Sequence, residues 1–152
     1  MTNSIVLSQI LSPDYVLVEV DCPNKKRAFE AVAQLFENGK GLSRAKVYEA
    51  LFEREKLGST GLGQAVAIPH GRIKGIKDTL CAIIKFKDAI PFESPDGVAV
   101  QMMVVLLVPE NAGQKHLDVL AFFAQLLSDD AVREALLSAP TAHALFDIAT
   151  AA

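Results

Sequence analysis

The stretch Val100–Val108, VQMMVVLLV, limits the fold of this chain more than any other part of it. Only Gln101 breaks the apolar run, so it lacks the in-out alternation of a strand with one face in water. A strand that is apolar on both sides needs cover on both faces. Pro109 ends the run, well short of the ~20 residues that cross a bilayer as a helix. The chain must therefore supply helices for two sides of a sheet.

It does so by pattern. The β-branched and apolar stretches YVLVEV (Tyr15–Val20), AVAI (Ala65–Ile68) and TLCAIIKF (Thr79–Phe86) read as further strands. A short helix is expected over Ser4–Leu11, ended by Ser12–Pro13. Another starts at Pro23–Asn24, with Ala28, Phe29, Val32, Leu35 and Phe36 on one face, and Asn38–Gly39 reads as its stop. Ser43 is the natural cap of the next helix, with Val47, Ala50 and Leu51 inward and Gly58 near its end. Three more helices are expected after Pro109: Gly113–Leu127, Asp130–Leu137 and Thr141–Ala149. The fold class is α/β, a mixed β-sheet flanked by helices on both faces, in a single domain over residues 1–152.

Composition narrows the function. A chain of 152 residues with 51% hydrophobic and 22% charged residues is ordered rather than disordered. A net charge of −3 and no basic cluster beyond Lys25-Lys26-Arg27, read as a solvated helix start, argue against nucleic acid. The first residues, MTNSIVLSQIL, carry no basic leader, so no secretory signal and no membrane insertion are expected. Cys22 and Cys81 have no metal-ligand spacing and read as core residues in a reducing compartment, which implies the cytoplasm.

The functional signal lies in QAVAIPHGR, Gln64–Arg72. Proline closes a strand, because it lacks the N–H that would continue the ladder. Glycine lets the chain leave in another direction. His70 between them is presented at the strand's end. Arg54 falls on the inward stripe of its helix, where a guanidinium must find a partner or an anion. Between the two lies GSTGLG, Gly58–Gly63, without the lysine of a nucleotide loop; the hydroxyls of Ser59 and Thr60 and its backbone N–H groups suit an anion. His116 stands at the start of a predicted helix, where the dipole favours a neutral ring. His143, between two alanines, has no evident role. The histidines lack zinc spacing and the nucleophile elbow of a hydrolase is absent, so neither a metal nor another cofactor is expected. A neutral imidazole, an arginine and hydroxyl-bearing turns suit phosphoryl transfer through a phosphohistidine.

The run REKLGSTGLGQAVAIPHG, Arg54–Gly71, resembles the active-site segment of the IIA domains of the bacterial phosphoenolpyruvate-dependent sugar phosphotransferase system, of the mannitol/fructose type. The resemblance extends from LSQIL through NKKRAFEAVAQLF to LLVPENAGQKHLDVLAFFAQLL, and is nearest to the nitrogen-regulatory branch. It implies a mannitol-type IIA-like sandwich. It also implies that His70 accepts phosphate from an HPr-type phosphocarrier protein, that His116 helps bind the phosphoryl group without carrying it, and that Arg54 stands beside the site. In the regulatory branch the phosphorylation state controls target proteins such as potassium transport components or sensor kinases. In the sugar branch the phosphate passes to a IIB domain during fructose or mannitol uptake. The wording REKLGSTGLG favours the regulatory branch.

Overall fold

The computed structural model describes residues 7–111 and 113–151, except for the side chains of Ser8, Lys115 and His116. The strands are β1 (Val16–Val20), β2 (Gly61–Gly63), β3 (Val66–Ala67), β4 (His70–Ile73), β5 (Leu80–Ile90) and β6 (Val100–Pro109). The helices are α1 (Lys25–Lys40), α2 (Arg44–Glu55), α3 (Gln114–Ser128), α4 (Asp130–Ser138) and α5 (Ala142–Ala151). The strands form one mixed sheet in the order β1-β5-β6-β3-β2, with β4 also paired to β6. Met102–Val108 is buried residue after residue, as a strand covered on both faces requires. Helices α1 and α2 pack on each other, α2 lies against β4, and α5 lies against β1.

Capping explains where the helices start. Asn24 accepts the Arg27 N–H and Ser43 accepts the Lys46 N–H, each satisfying a donor that the first turn leaves open. In α1 the face formed by Ala28, Phe29, Val32 and Phe36 is fully buried; each large side chain contributes ~1.5–3 kcal/mol by leaving water. The helix does not stop at Asn38–Gly39 as expected. It runs on to Lys40 and ends at Gly41, whose φ of 69° is the left-handed conformation that closes a helix with a Gly41 N–H to Glu37 O bond. Two glycines two residues apart offered two stops, and only the second adopts the cap.

The expected helix over Ser4–Leu11 is also revised. Residues 4–6 lie outside the described residues, and Leu7–Gln9 forms a single 3-10 turn followed by another at Pro13–Tyr15. Cys22 and Cys81 are buried and unpaired with each other, as read. No helix among the described residues is long and apolar enough to cross a membrane.

Candidate functional site

The site grows from an interruption in a strand that keeps its register. β3 runs parallel to β6 with Val66 opposite Met102 and Ala67 opposite Met103. After Pro69, β4 resumes beside the same strand with His70 opposite Leu106, in unchanged register. The strand therefore does not end at Pro69, contrary to the expectation from AVAIPHG. Proline withholds one N–H, but its carbonyl still accepts the Leu106 N–H at 3.0 Å, so pairing survives the gap.

Gly71 also plays a different part from the one expected. It sits inside β4, where the chain continues instead of turning. A Cβ built on it would lie 2.9 Å from the Ala50 carbonyl carbon and 3.0 Å from the Ala50 Cβ, both on α2. The missing side chain lets α2 lie directly on β4. That contact brings Arg54, one turn after Ala50, to His70.

The glycine-rich stretch before β3 is itself ordered. Gly61–Gly63 forms β2, antiparallel to β3. Gln64 and Ala65 both take left-handed φ, 59° and 70°, which costs a non-glycine residue ~1–2 kcal/mol. They are held there by bonds: the Asp96 carboxylate accepts the Gln64 N–H at 2.9 Å, and the Ala65 carbonyl accepts from Gln101 and Met102. The Gln64 N–H, and after it the Val98 N–H at 3.1 Å, draw the Asp96 carboxyl below its usual range.

His70 is half-buried. Its Nε2 lies 3.3 Å from Arg54 Nε, and its Nδ1 lies 2.9 Å from the Ile68 carbonyl oxygen. Arginine can only donate and a carbonyl can only accept, so both contacts are satisfied by one form of the ring. That form is neutral, with its proton on Nδ1 and its lone pair on Nε2. Burial pushes the imidazole below the usual histidine range; the Ile68 carbonyl opposes this, the Arg54 charge reinforces it, and Glu55 opposes it weakly. Arg54 is half-buried, and its Nη1 donates to the Gly58 carbonyl at 2.9 Å, which fixes the plane of the guanidinium.

Ser59 and Thr60 take other partners. The Ser59 hydroxyl donates to the Phe92 carbonyl at 2.7 Å and accepts the Gly61 N–H at 3.1 Å. The buried Thr60 hydroxyl donates to Glu55 Oε1 at 2.7 Å. Both hydrogens are directed at protein acceptors, so in this arrangement the two hydroxyls hold the loop. His116 falls in the first turn of α3, at the predicted helix start, and its side chain lies outside the described residues. His143 is exposed, 3.4 Å from Asp147.

Sequence reasoning missed Glu55. It is buried in full sight of the signal, since Val47, Leu51 and Glu55 are spaced four apart on the inward face of α2. Its carboxylate accepts the Thr60 N–H at 3.0 Å, the Thr60 hydroxyl, and the Lys25 ammonium at 2.9 Å. Lys25 is thus no solvated helix start. Its ammonium also lies 4.6 Å from the centre of the Phe92 ring and reaches Glu93 at 3.3 Å, whereas Lys26 and Arg27 are exposed as expected. A shallow groove of about 1040 Å³ between α1 and α2, lined by Cys22, Tyr48 and Phe52 among others, includes neither His70 nor Arg54.

Comparison with known proteins follows the same lines. The family described as "Phosphoenolpyruvate-dependent sugar phosphotransferase system, EIIA 2" matches residues 9–151. The chain is 42% identical over 145 residues to a nitrogen regulatory protein of Pseudomonas aeruginosa, covering 95% of this chain and 94% of that one. The crystal structure of nitrogen regulatory protein IIA-Ntr from Neisseria meningitidis is similar with a TM-score of 0.90 and 42% identity, covering 95% and 99%. The crystal structure of IIA mannitol from Escherichia coli, at 20% identity, shares the fold with a TM-score of 0.76 over 91% and 97%.

Proposed function

Because this chain belongs to the EIIA 2 family of the phosphoenolpyruvate-dependent sugar phosphotransferase system, we propose that it is a phosphohistidine carrier whose phosphorylation state regulates other proteins. The observation that carries this reading is the His70 ring, held by Ile68 at Nδ1 while Nε2 faces Arg54. Nε2 holds the lone pair, so Nε2 is the nucleophile. The donor is the phosphohistidine of an HPr-type carrier protein. A new N–P bond forms at His70 Nε2 as the carrier's N–P bond breaks, and its electron pair returns to the carrier's ring nitrogen. The His70 proton remains on Nδ1 throughout. Lowered basicity keeps the ring neutral, which a nucleophilic histidine requires near pH 7.

Such transfer demands alignment and stabilisation of charge on the phosphoryl oxygens more than bond-making by the protein. Arg54 brings a planar guanidinium, its Nε aimed at Nε2 and its Nη1 seated on the Gly58 carbonyl, to a group that will carry several negative oxygens. His116, in the first turn of α3, adds a second N–H donor and is not itself phosphorylated. Ser59 and Thr60 serve the phosphoryl group indirectly, by holding the loop whose Gly58 carbonyl seats Arg54. The regulatory reading draws on the names of the relatives at 42% identity; target proteins would include potassium transport components or sensor kinases.

Incubation with phosphoenolpyruvate, enzyme I and the HPr-type carrier should add one acid-labile phosphate. Normal labelling of His70→Ala would end the assignment. For His116, rapid-quench labelling should find Gln near wild type and Ala slower; equal rates in all three would remove it from the mechanism. Phosphorylated protein that passes its phosphate on to a sugar-specific IIB domain would point to the sugar branch instead of regulation.

A further inference from the structure

We propose that Glu55 is a positioning residue for phosphoryl transfer: through Thr60 and the Gly58 carbonyl it sets the guanidinium of Arg54 against His70. This rests on the phosphocarrier reading above and concerns a residue that never touches the phosphoryl group. Arg54 and Glu55 are neighbours that leave the last turn of α2 in different directions, one to the site and one into the interior. Glu55 draws residue 60 back toward the helix with two bonds, to the Thr60 N–H at 3.0 Å and the Thr60 hydroxyl at 2.7 Å. The turn closed in this way contains Gly58, and the Gly58 carbonyl is where Arg54 Nη1 rests. With Nη1 fixed there, the rigid plane of the guanidinium leaves Nε–H aimed at His70 Nε2.

Lys25 completes the device. A lysine at the first position of a helix opposes the helix dipole, so its place needs a compensating partner. Glu55 is that partner: side-chain exposures of 14% and 4% make this the least solvated carboxylate pair of the described residues. The ammonium holds Glu55 Oε2, the same oxygen that accepts the Thr60 N–H, and thereby keeps the carboxylate turned toward the loop. The two Glu55–Thr60 bonds are buried and the Lys25–Glu55 and Arg54–His70 bonds half-buried, so geometry is retained along them, while the Arg54–Gly58 bond closes the chain at the surface.

A double-mutant cycle tests this. Glu55→Gln keeps the shape of the side chain but loses the charge and one acceptor. It should slow labelling from the phosphorylated carrier on the order of tenfold, in the rate at saturating carrier rather than in carrier binding. In an Arg54→Ala background the same change should slow labelling no further. Equal slowing in both backgrounds would overturn the proposal and leave Glu55 as a stabilising residue only. Thr60→Val, which removes one of the two bonds without changing shape, should show the same non-additivity at smaller size if Glu55→Gln does not fold. A second readout needs no activity. Gly58–Ser59 is the only Gly-Ser pair in the chain, so 13C-carbonyl glycine with 15N serine gives a single correlation. Glu55→Gln should move that Gly58 carbonyl resonance toward its place in Arg54→Ala; no movement would also overturn the proposal. Wild-type protein that takes no phosphate would remove the phosphocarrier reading, and the carbonyl shift would still decide whether Glu55 sets Arg54.

Discussion

Strand β6 has two neighbours, and they differ. On one side β5 pairs with it antiparallel in an unbroken ladder from Leu80–Leu107 to Lys85–Met102, then resumes after an irregularity at Ile90–Val100. On the other side β3 and β4 pair with it in parallel, with Pro69 between them. The first neighbour buries Cys81 through Phe86 without a gap. The second has left-handed residues before it, a proline within it and a half-buried histidine after the proline. Stability and the proposed chemistry are thus divided across one strand. The unbroken side fixes where β6 lies, and the broken side uses that fixed strand to present a side chain at a defined place.

Substitutions should separate the two sides. The largest effect is expected on the unbroken one. Ile83 is 1% exposed and paired with Val104, and Ile83→Ala should cost about 2–5 kcal/mol of stability in denaturant unfolding. Phosphate labelling, measured where the variant is still folded, should remain normal. A clear loss of rate there would show that the two sides are not independent.

On the broken side Gly71→Ala should act on both quantities. The added Cβ meets the backbone of Ala50, which cannot rotate away, so α2 must shift on β4. Overpacking of this kind costs ~1–3 kcal/mol, and it also moves Arg54 from His70. Slower labelling with a lower melting temperature is the expected pair of results. If only the melting temperature falls, Gly71 belongs with the core.

Arg54→Lys should leave stability nearly intact and act on rate alone. An ammonium cannot reproduce the two-point contact with His70 and Gly58. Loss of one charge-assisted bond in transfer is worth about 2 kcal/mol, roughly thirtyfold in rate. A folded Arg54→Lys protein with normal transfer would make the arginine structural.

How much of this division could be read in the sequence depended on the reach of the interaction. Ser43 as a cap and the double-sided burial of Val100–Val108 are short-range facts, and they stand. β4 was not legible: HGRI has no apolar alternation, and it is a strand because β6, far along the chain, offers it a ladder. Gly71 was visible as a glycine, but its reason is the backbone of Ala50, which no local pattern reveals. Arg54 stood out because a charge on an apolar stripe is conspicuous. Glu55 lies on the same stripe and was passed over because its partners, Lys25 and Thr60, come from a segment read as a solvated helix start and from a turn read as suited to an anion.

The smallest expected effect is with pH, and it follows from the ring that the broken strand presents. Burial first, with Arg54 adding to it, holds the His70 imidazole below the ordinary value of about 6.5, against the opposing pull of Ile68 and Glu55. The unfolded chain therefore binds a proton at His70 before the folded one does. The contribution of this group to stability is fully present above the unfolded value and is lost as pH falls through the depressed folded value. The melting temperature of wild type should thus decline with acid a little more than that of His70→Gln, which has no such proton to take up. Labelling should behave in parallel. In the proposed mechanism the nucleophile is the neutral ring, so the rate should stay level as pH falls past 6.5 and drop only at more acidic pH, provided the carrier is pre-phosphorylated and saturating. A rate that halves at the ordinary histidine value would mean that the ring is not shielded, and the broken side of β6 would then present His70 to water rather than shelter it.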